Sequence, residues 1–305
     1  MAIQRSLAPG GHHAPGTTRN TDRALPMSEK RTASLAALDI GRDKRASDMI
    51  QQIEPVRNRD DVVLSAENLK LFTGLVEEFR SGDTLRRHGM PLRSKLLFCG
   101  PPGCGKTLTA EVFANELGLD LFVVRLDSII SSFLGETASN LRTVIEAAER
   151  RPCVLFFDEF DALARARTDS GEHNELKRVV NSLLMLIEGF KGNGFLIAAT
   201  NLEDTLDAAL WRRFDDVVLF ERPTTARISQ MLALKTRNFQ AAFNIRDRAA
   251  NLAGFSYAEI ERVCNAAIKS AILSRRKKIS AADFDGALKD EQRRRRIQKR
   301  VAASD

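Results

Sequence analysis

The chain has 305 residues, of which 43% are apolar and 29% charged, with a net charge of +7. That is material for one large or two small cores, while no apolar run approaches the ~20 residues of a membrane span and no secretory leader is expected. The charge is uneven: residues 1–45 and 289–305 each carry +4, leaving −1 for 46–288, so composition does not make the body a nucleic-acid surface.

Residues 1–45 are rich in Pro, Gly, His, Thr and Ser without a period, and are expected to form a disordered basic arm. Adjacent His12 and His13 alone make a poor metal site. The stretch SAENLKLFTGLVEEF (65–79) then puts Leu69, Phe72, Leu75, Val76 and Phe79 at helical spacing. Five apolar runs, 96–99, 121–126, 153–158, 194–200 and 216–220, alternate with helical segments such as 139–149 and 174–188. Strands alternating with helices imply an α/β fold: a five-stranded parallel sheet sandwiched between helices. After Pro223 the strand pattern stops, and 226–240, 247–253, 256–274 and 280–290 read as helices. Two of these open on capping boxes, Ser256 with Glu259 and Ser280 with Asp283. The expected organisation is an arm (1–45), an α/β nucleotide-binding domain (46–222), a small all-α lid (223–290) and a basic tail (291–305). Cys99, Cys104, Cys153 and Cys264 lack C-x-x-C spacing, which points to buried thiols in a reducing cytoplasm rather than disulfides or zinc.

GPPGCGKT (100–107) follows the first apolar run and precedes a helical pattern, and it fits the phosphate-loop spacing G-x-x-x-x-G-K-T in full. Its glycines let backbone N–H groups approach phosphate oxygens, and the following helix offers its positive end to the same anion. Lys106 is expected at the β- and γ-phosphates and Thr107 at Mg²⁺. The expected nucleotide contacts run through Pro102, Gly103, Cys104, Gly105, Lys106, Thr107 and Leu108. Downstream, VLFFDEFDAL (154–163) carries two carboxylates at the tip of a buried strand. Asp158 suits the metal and Glu159 suits polarising the attacking water.

With both motifs in place, residues 60–290 resemble an AAA ATPase of the AAA+ superfamily, similar to stand-alone bacterial AAA proteins and to the ATPase cassettes of katanin/spastin-type enzymes and membrane AAA proteases. That resemblance implies ATP and Mg²⁺ as ligands and a homo-oligomeric, hexameric ring as the working form. The segment 194–220 resembles the second region of homology, which makes Asn201 the sensor-1 residue and Arg212 and Arg213 arginine fingers acting on a neighbouring subunit. SSFLGET (131–137) resembles pore loop 1, with Phe133, Leu134 and Gly135 facing a central channel, and 168–174 resembles a second pore loop. Glu188-Gly189-Phe190 resembles an inter-subunit signalling element. GFSYAEIERVCNAA (254–267) resembles the sensor-2 region, placing Tyr257 and Ala258 at the adenine pocket, with DDVVLS (60–65) as its other wall.

The function implied is an ATP-driven protein remodeller or unfoldase. No protease motif such as H-E-x-x-H follows the lid, so any protease it serves is expected to be a separate polypeptide. Two other classes remain open: a DNA-associated AAA+ ATPase of the loader or plasmid-maintenance type, contacting nucleic acid through the basic ends, and a nucleotide-dependent binding switch.

Overall fold

The computed structural model describes residues 50–125, 134–160, 174–201 and 211–302. The arm 1–45, Phe133 and the second pore-loop segment up to residue 173 lie outside the described residues.

All five expected strands are present: β2 (Lys95–Cys99), β3 (Leu121–Arg125), β4 (Val154–Asp158), β5 (Phe195–Thr200) and β6 (Asp216–Leu219). Their pairings are parallel. The sheet nevertheless has six strands, because Ile50–Ile53 adds a strand β1, in the order β1-β3-β4-β5-β2-β6. The additional strand, β1 (Ile50–Ile53), lies antiparallel to β3 at the edge, with Ile50 opposite Val124 and Ile53 opposite Leu121. The expectation of an all-parallel five-stranded sheet is corrected accordingly. Only four residues form β1 and two of those are Gln, a pattern that an edge strand tolerates and a buried strand does not.

The sheet is covered on both faces, which is why β2, β4 and β5 read as continuous apolar runs. One face carries Leu96, Phe98, Val154, Phe156 and Ile197 against α1 (Ala66–Arg80) and α3 (Lys106–Leu117). The other carries Leu97, Phe122, Leu155, Phe157 and Ala198 against α4 (Leu134–Arg150) and α5 (Asn174–Gly189). A short helix, α2 (Gly82–Arg87), links α1 to β2. Phe98 sits at the centre of the first face, with its ring against Phe72, Phe156 and Phe220. Truncating such a ring costs about 3–5 kcal/mol.

Beyond β6 the chain is helical: α6 (Thr225–Lys235), a 3₁₀ helix (Ile245–Leu252), α7 (Tyr257–Leu273) and α8 (Ala281–Ala302). Both expected capping boxes form: Ser256 and Glu259 exchange bonds, as do Ser280 and Asp283. The segment expected as helix 247–253 takes the tighter 3₁₀ form. The boundary expected at 290/291 falls inside α8, which runs on unbroken through the basic run to Ala302. Arg262 of α7 holds the buried Glu291 of α8 at 2.6 Å, which ties that continuation down. The first sheet face and the helical part share one continuous apolar cluster, from Phe98 through Ile228 and Leu232 to Val263 and Phe284.

Candidate active site at the strand tips

The strand order places β5 between β2 and β4, so the C-terminal ends of these three strands are neighbours. The phosphate loop leaves β2, Asp158 ends β4, and Asn201 follows β5. Three windows far apart in sequence are thereby gathered at one sheet edge.

In the phosphate loop, Gly100, Gly103 and Gly105 have φ values of 142°, 73° and 95°. A side chain at Gly100 would meet the Phe220 carbonyl at 2.0 Å, so the residue that follows β6 demands glycine there. Gly105 is the N-cap of α3 and makes no side-chain capping bond. The first-turn N–H groups of α3 are therefore left for an anion. Lys106 is buried, and its Nζ donates to the Gly100 carbonyl at 2.6 Å and to Asn201 Oδ1 at 2.7 Å. The expected lysine and the expected sensor thus share one hydrogen bond.

Thr107 Oγ1 donates to Asp158 Oδ2 at 3.2 Å. Two hard oxygens from adjacent elements suit Mg²⁺, which keeps most of its shell for water and phosphate. Glu159 is exposed, and its backbone lies in the left-handed region with φ 52°. For a non-glycine residue that conformation costs about 1–3 kcal/mol and concentrates at working sites. It is held from both sides: Glu159 N–H donates to Asp158 Oδ1 at 2.9 Å, and Phe160 N–H to the Ala199 carbonyl at 2.8 Å. The carboxylate is thereby left exposed at the sheet edge while Phe160 is buried.

The helical part reaches the phosphate loop directly. Ala258 N–H donates to the Gly103 carbonyl at 3.1 Å, and a Cβ at Gly103 would lie 3.0 Å from Ser256 Oγ. Pro102 and Leu108 flank this contact in sequence. Cys104 is buried in the same apolar cluster as Tyr257. Burial raises the Tyr257 pKa while Arg227 opposes the shift, and its hydroxyl has no hydrogen bond of good geometry among the described residues. Residues 62–65 face α6 across a cleft of about 640 Å³ that also includes Arg59, Arg227, Gln230 and Leu234.

The remaining expected residues are divided. Arg212 is exposed, whereas Arg213 donates to the Leu184 carbonyl and to Glu188, both on α5. Phe190 is buried at 4% exposure in its own chain's core, so the Phe of the expected signalling element is a packing residue here. Leu134 and Gly135, expected in a loop, are the first residues of α4. Ser256 is legible in the sequence as a helix cap, but its contact with Gly103 has no local sequence signal.

The family model for the "ATPase family associated with various cellular activities (AAA)" matches residues 96–222. An uncharacterised AAA family ATPase, y4kL, of Sinorhizobium fredii is 56% identical over 286 residues, covering 94% of this chain and 87% of that protein. The ATP-dependent zinc metalloprotease FtsH of Halothermothrix orenii is 34% identical over 238 residues, and that of Bacillus subtilis 34% over 236. Those matches take in about three quarters of this chain but only 38% and 37% of the FtsH proteins. The family-model match spans the phosphate loop, Asp158, Glu159 and Asn201, and the chain belongs to the AAA family of ATPases.

Proposed function

We propose that this ATPase works as a homo-oligomeric ring, a hexamer by family resemblance, that uses ATP hydrolysis to remodel or thread a protein substrate. The observation that carries the reading is the convergence of Lys106, Thr107, Asp158, Glu159 and Asn201 at one sheet edge, with Arg212 exposed on the same α/β body. Lys106 and the α3 N-terminus bind the phosphates. Thr107 and Asp158 would hold Mg²⁺, which would supply charge neutralisation to the phosphates. Glu159 takes the proton of the attacking water, and Asn201 orients that water. The base lies toward the cleft between residues 62–65 and α6, and Ala258 with Tyr257 closes the site from the lid.

Arg212 and Arg213 act on the neighbouring subunit's nucleotide, and Phe133, Leu134 and Gly135 contact the substrate in the ring's channel. The name of the FtsH relatives, an ATP-dependent protease, supports a protein substrate and a separate protease as a candidate partner. All four cysteines are buried thiols outside any disulfide among the described residues, which suits a reducing cytoplasm. No helix among the described residues is long and apolar enough to cross a membrane.

The test is a trap experiment. Tagged Glu159→Gln is captured with MgATP, half the sample is treated with nuclease, and the co-purifying material is identified. A protein retained after nuclease and lost with Phe133→Ala supports remodelling. Nucleic acid alone, independent of Phe133, supports the DNA-associated reading, with the exposed arginines Arg293, Arg294 and Arg296 of α8 as its contacts.

A further inference from the structure

The turn that joins the lid to the phosphate loop is gripped by an arginine far away in sequence. Gly254–Glu259 leads into α7 and supplies the Ala258 N–H and Ser256 contacts with Gly103. Arg295, from the distal half of α8, folds back onto this turn. Its Nη2 donates to the Gly254 carbonyl at 3.0 Å, its Nε lies 3.2 Å from Glu259 Oε1, and its guanidinium stands 4.3 Å from the centre of the Phe255 ring. Phe255 is buried, and the cation stacks on its ring face.

Glu259 is already engaged, because its Oε2 accepts from Ser256 N–H at 2.6 Å and closes the N-terminus of α7. Arg222, just beyond β6, donates to the same Gly254 carbonyl at 2.8 Å and lies 3.7 Å from Glu259. The turn is therefore held from the α/β side by Arg222 and from the C-terminal side by Arg295. Arginine suits such a clamp, since one planar fork reaches a carbonyl and a carboxylate while its face stacks on a ring.

We propose that Arg295 is a positioning residue for nucleotide binding, which fixes the Gly254–Glu259 turn so that the lid meets the phosphate loop in register. The proposal rests on the reading that the phosphate loop holds ATP. Arg295 acts through Glu259 and Gly254. The basic run at the end of α8 thus contains one residue whose role differs from that of its exposed neighbours.

The test titrates a fluorescent ATP analogue with Mg²⁺ into the full chain as wild type, Arg295→Met, Arg295→Lys, Arg296→Met and Lys106→Ala, and measures KM and kcat for ATP beside it. Arg295→Met, which keeps the apolar stem, is expected to weaken binding and raise KM about ten-fold while kcat at saturation stays within about two-fold. Arg295→Lys is expected in between, because it keeps the cation over the ring and loses the fork. Arg296→Met is expected to match wild type. A merely structural role would lower Tm and leave KM at 25 °C unchanged, and that result overturns the proposal. If Arg295→Met does not fold, Arg295→Lys decides: wild-type affinity overturns the proposal, and about three-fold weakening or more supports it. Unchanged binding by Lys106→Ala would instead sink the underlying reading of the phosphate loop.

Discussion

Arg213 Nη1 lies 2.5 Å from Glu188 Oε2 and 3.0 Å from the Leu184 carbonyl, both in its own chain, while the adjacent Arg212 is exposed. Two arginines of one motif thus have different ground states. An arginine already bonded in its own subunit must give up those bonds to act in trans, whereas the exposed Arg212 is held by no such pair among the described residues.

Arg212→Ala is therefore expected to cost more turnover than Arg213→Ala, about 10³-fold if Arg212 is the finger. It should retain nucleotide affinity. Arg213→Ala is expected to lower Tm as well, because it strips a partner from α5. Steady-state ATPase activity with parallel thermal unfolding checks both. Equal losses with unchanged Tm values would contradict the division.

Gly103→Ala should separate the lid from the phosphate loop. The residue has φ 73°, and a Cβ would sit 3.0 Å from Ser256 Oγ and 3.1 Å from Ala258 Cβ. Backbone strain of about 1 kcal/mol adds to that crowding. The expected result is nucleotide affinity at least ten-fold weaker, a threshold of about 1.4 kcal/mol, with little change in circular dichroism. Wild-type affinity would mean that the lid contact is dispensable.

Asp283 ties the start of α8 to α7 and gives the lid a pH dependence. Hydrogen bonds from Ser270 first, then Ser280, with Arg276 beside them, hold its carboxyl well below the usual carboxylate range. A depressed folded-state pKa contributes stability that is present above the ordinary value of 3.8 and is lost as pH falls through the folded value. Asp283→Asn is expected to be less stable than wild type at pH 7, with the gap closing in acid. Urea titrations at pH 7 and in steps below pH 4 measure the gap; a constant gap would contradict the assignment.

The motif-bearing half of the site is legible in the sequence because its signals are local. The glycine spacing of 100–107 and the strand-tip carboxylates at 158 and 159 each lie in one short window, and buried β2, β4 and β5 read as apolar runs. What escapes such a reading depends on contacts between distant windows. β1 has only two apolar residues and exists through its pairing with β3. The basic run within 291–302 reads as solvated, yet Arg262–Glu291 and Arg295–Glu259 fasten this stretch to α7. The burial of Phe190 and the left-handed backbone of Glu159 likewise depend on neighbours far away in sequence.

The most direct test of the account compares Glu159→Gln with wild type for both MgATP affinity and turnover. The proposed site predicts affinity within about two-fold of wild type, because it assigns the phosphates to Lys106 and the α3 N–H groups rather than to Glu159, and turnover lower by about 10²-fold or more. Turnover at the wild-type rate, with binding intact, would contradict the assignment of Glu159 as the base and with it the chemistry proposed for this site.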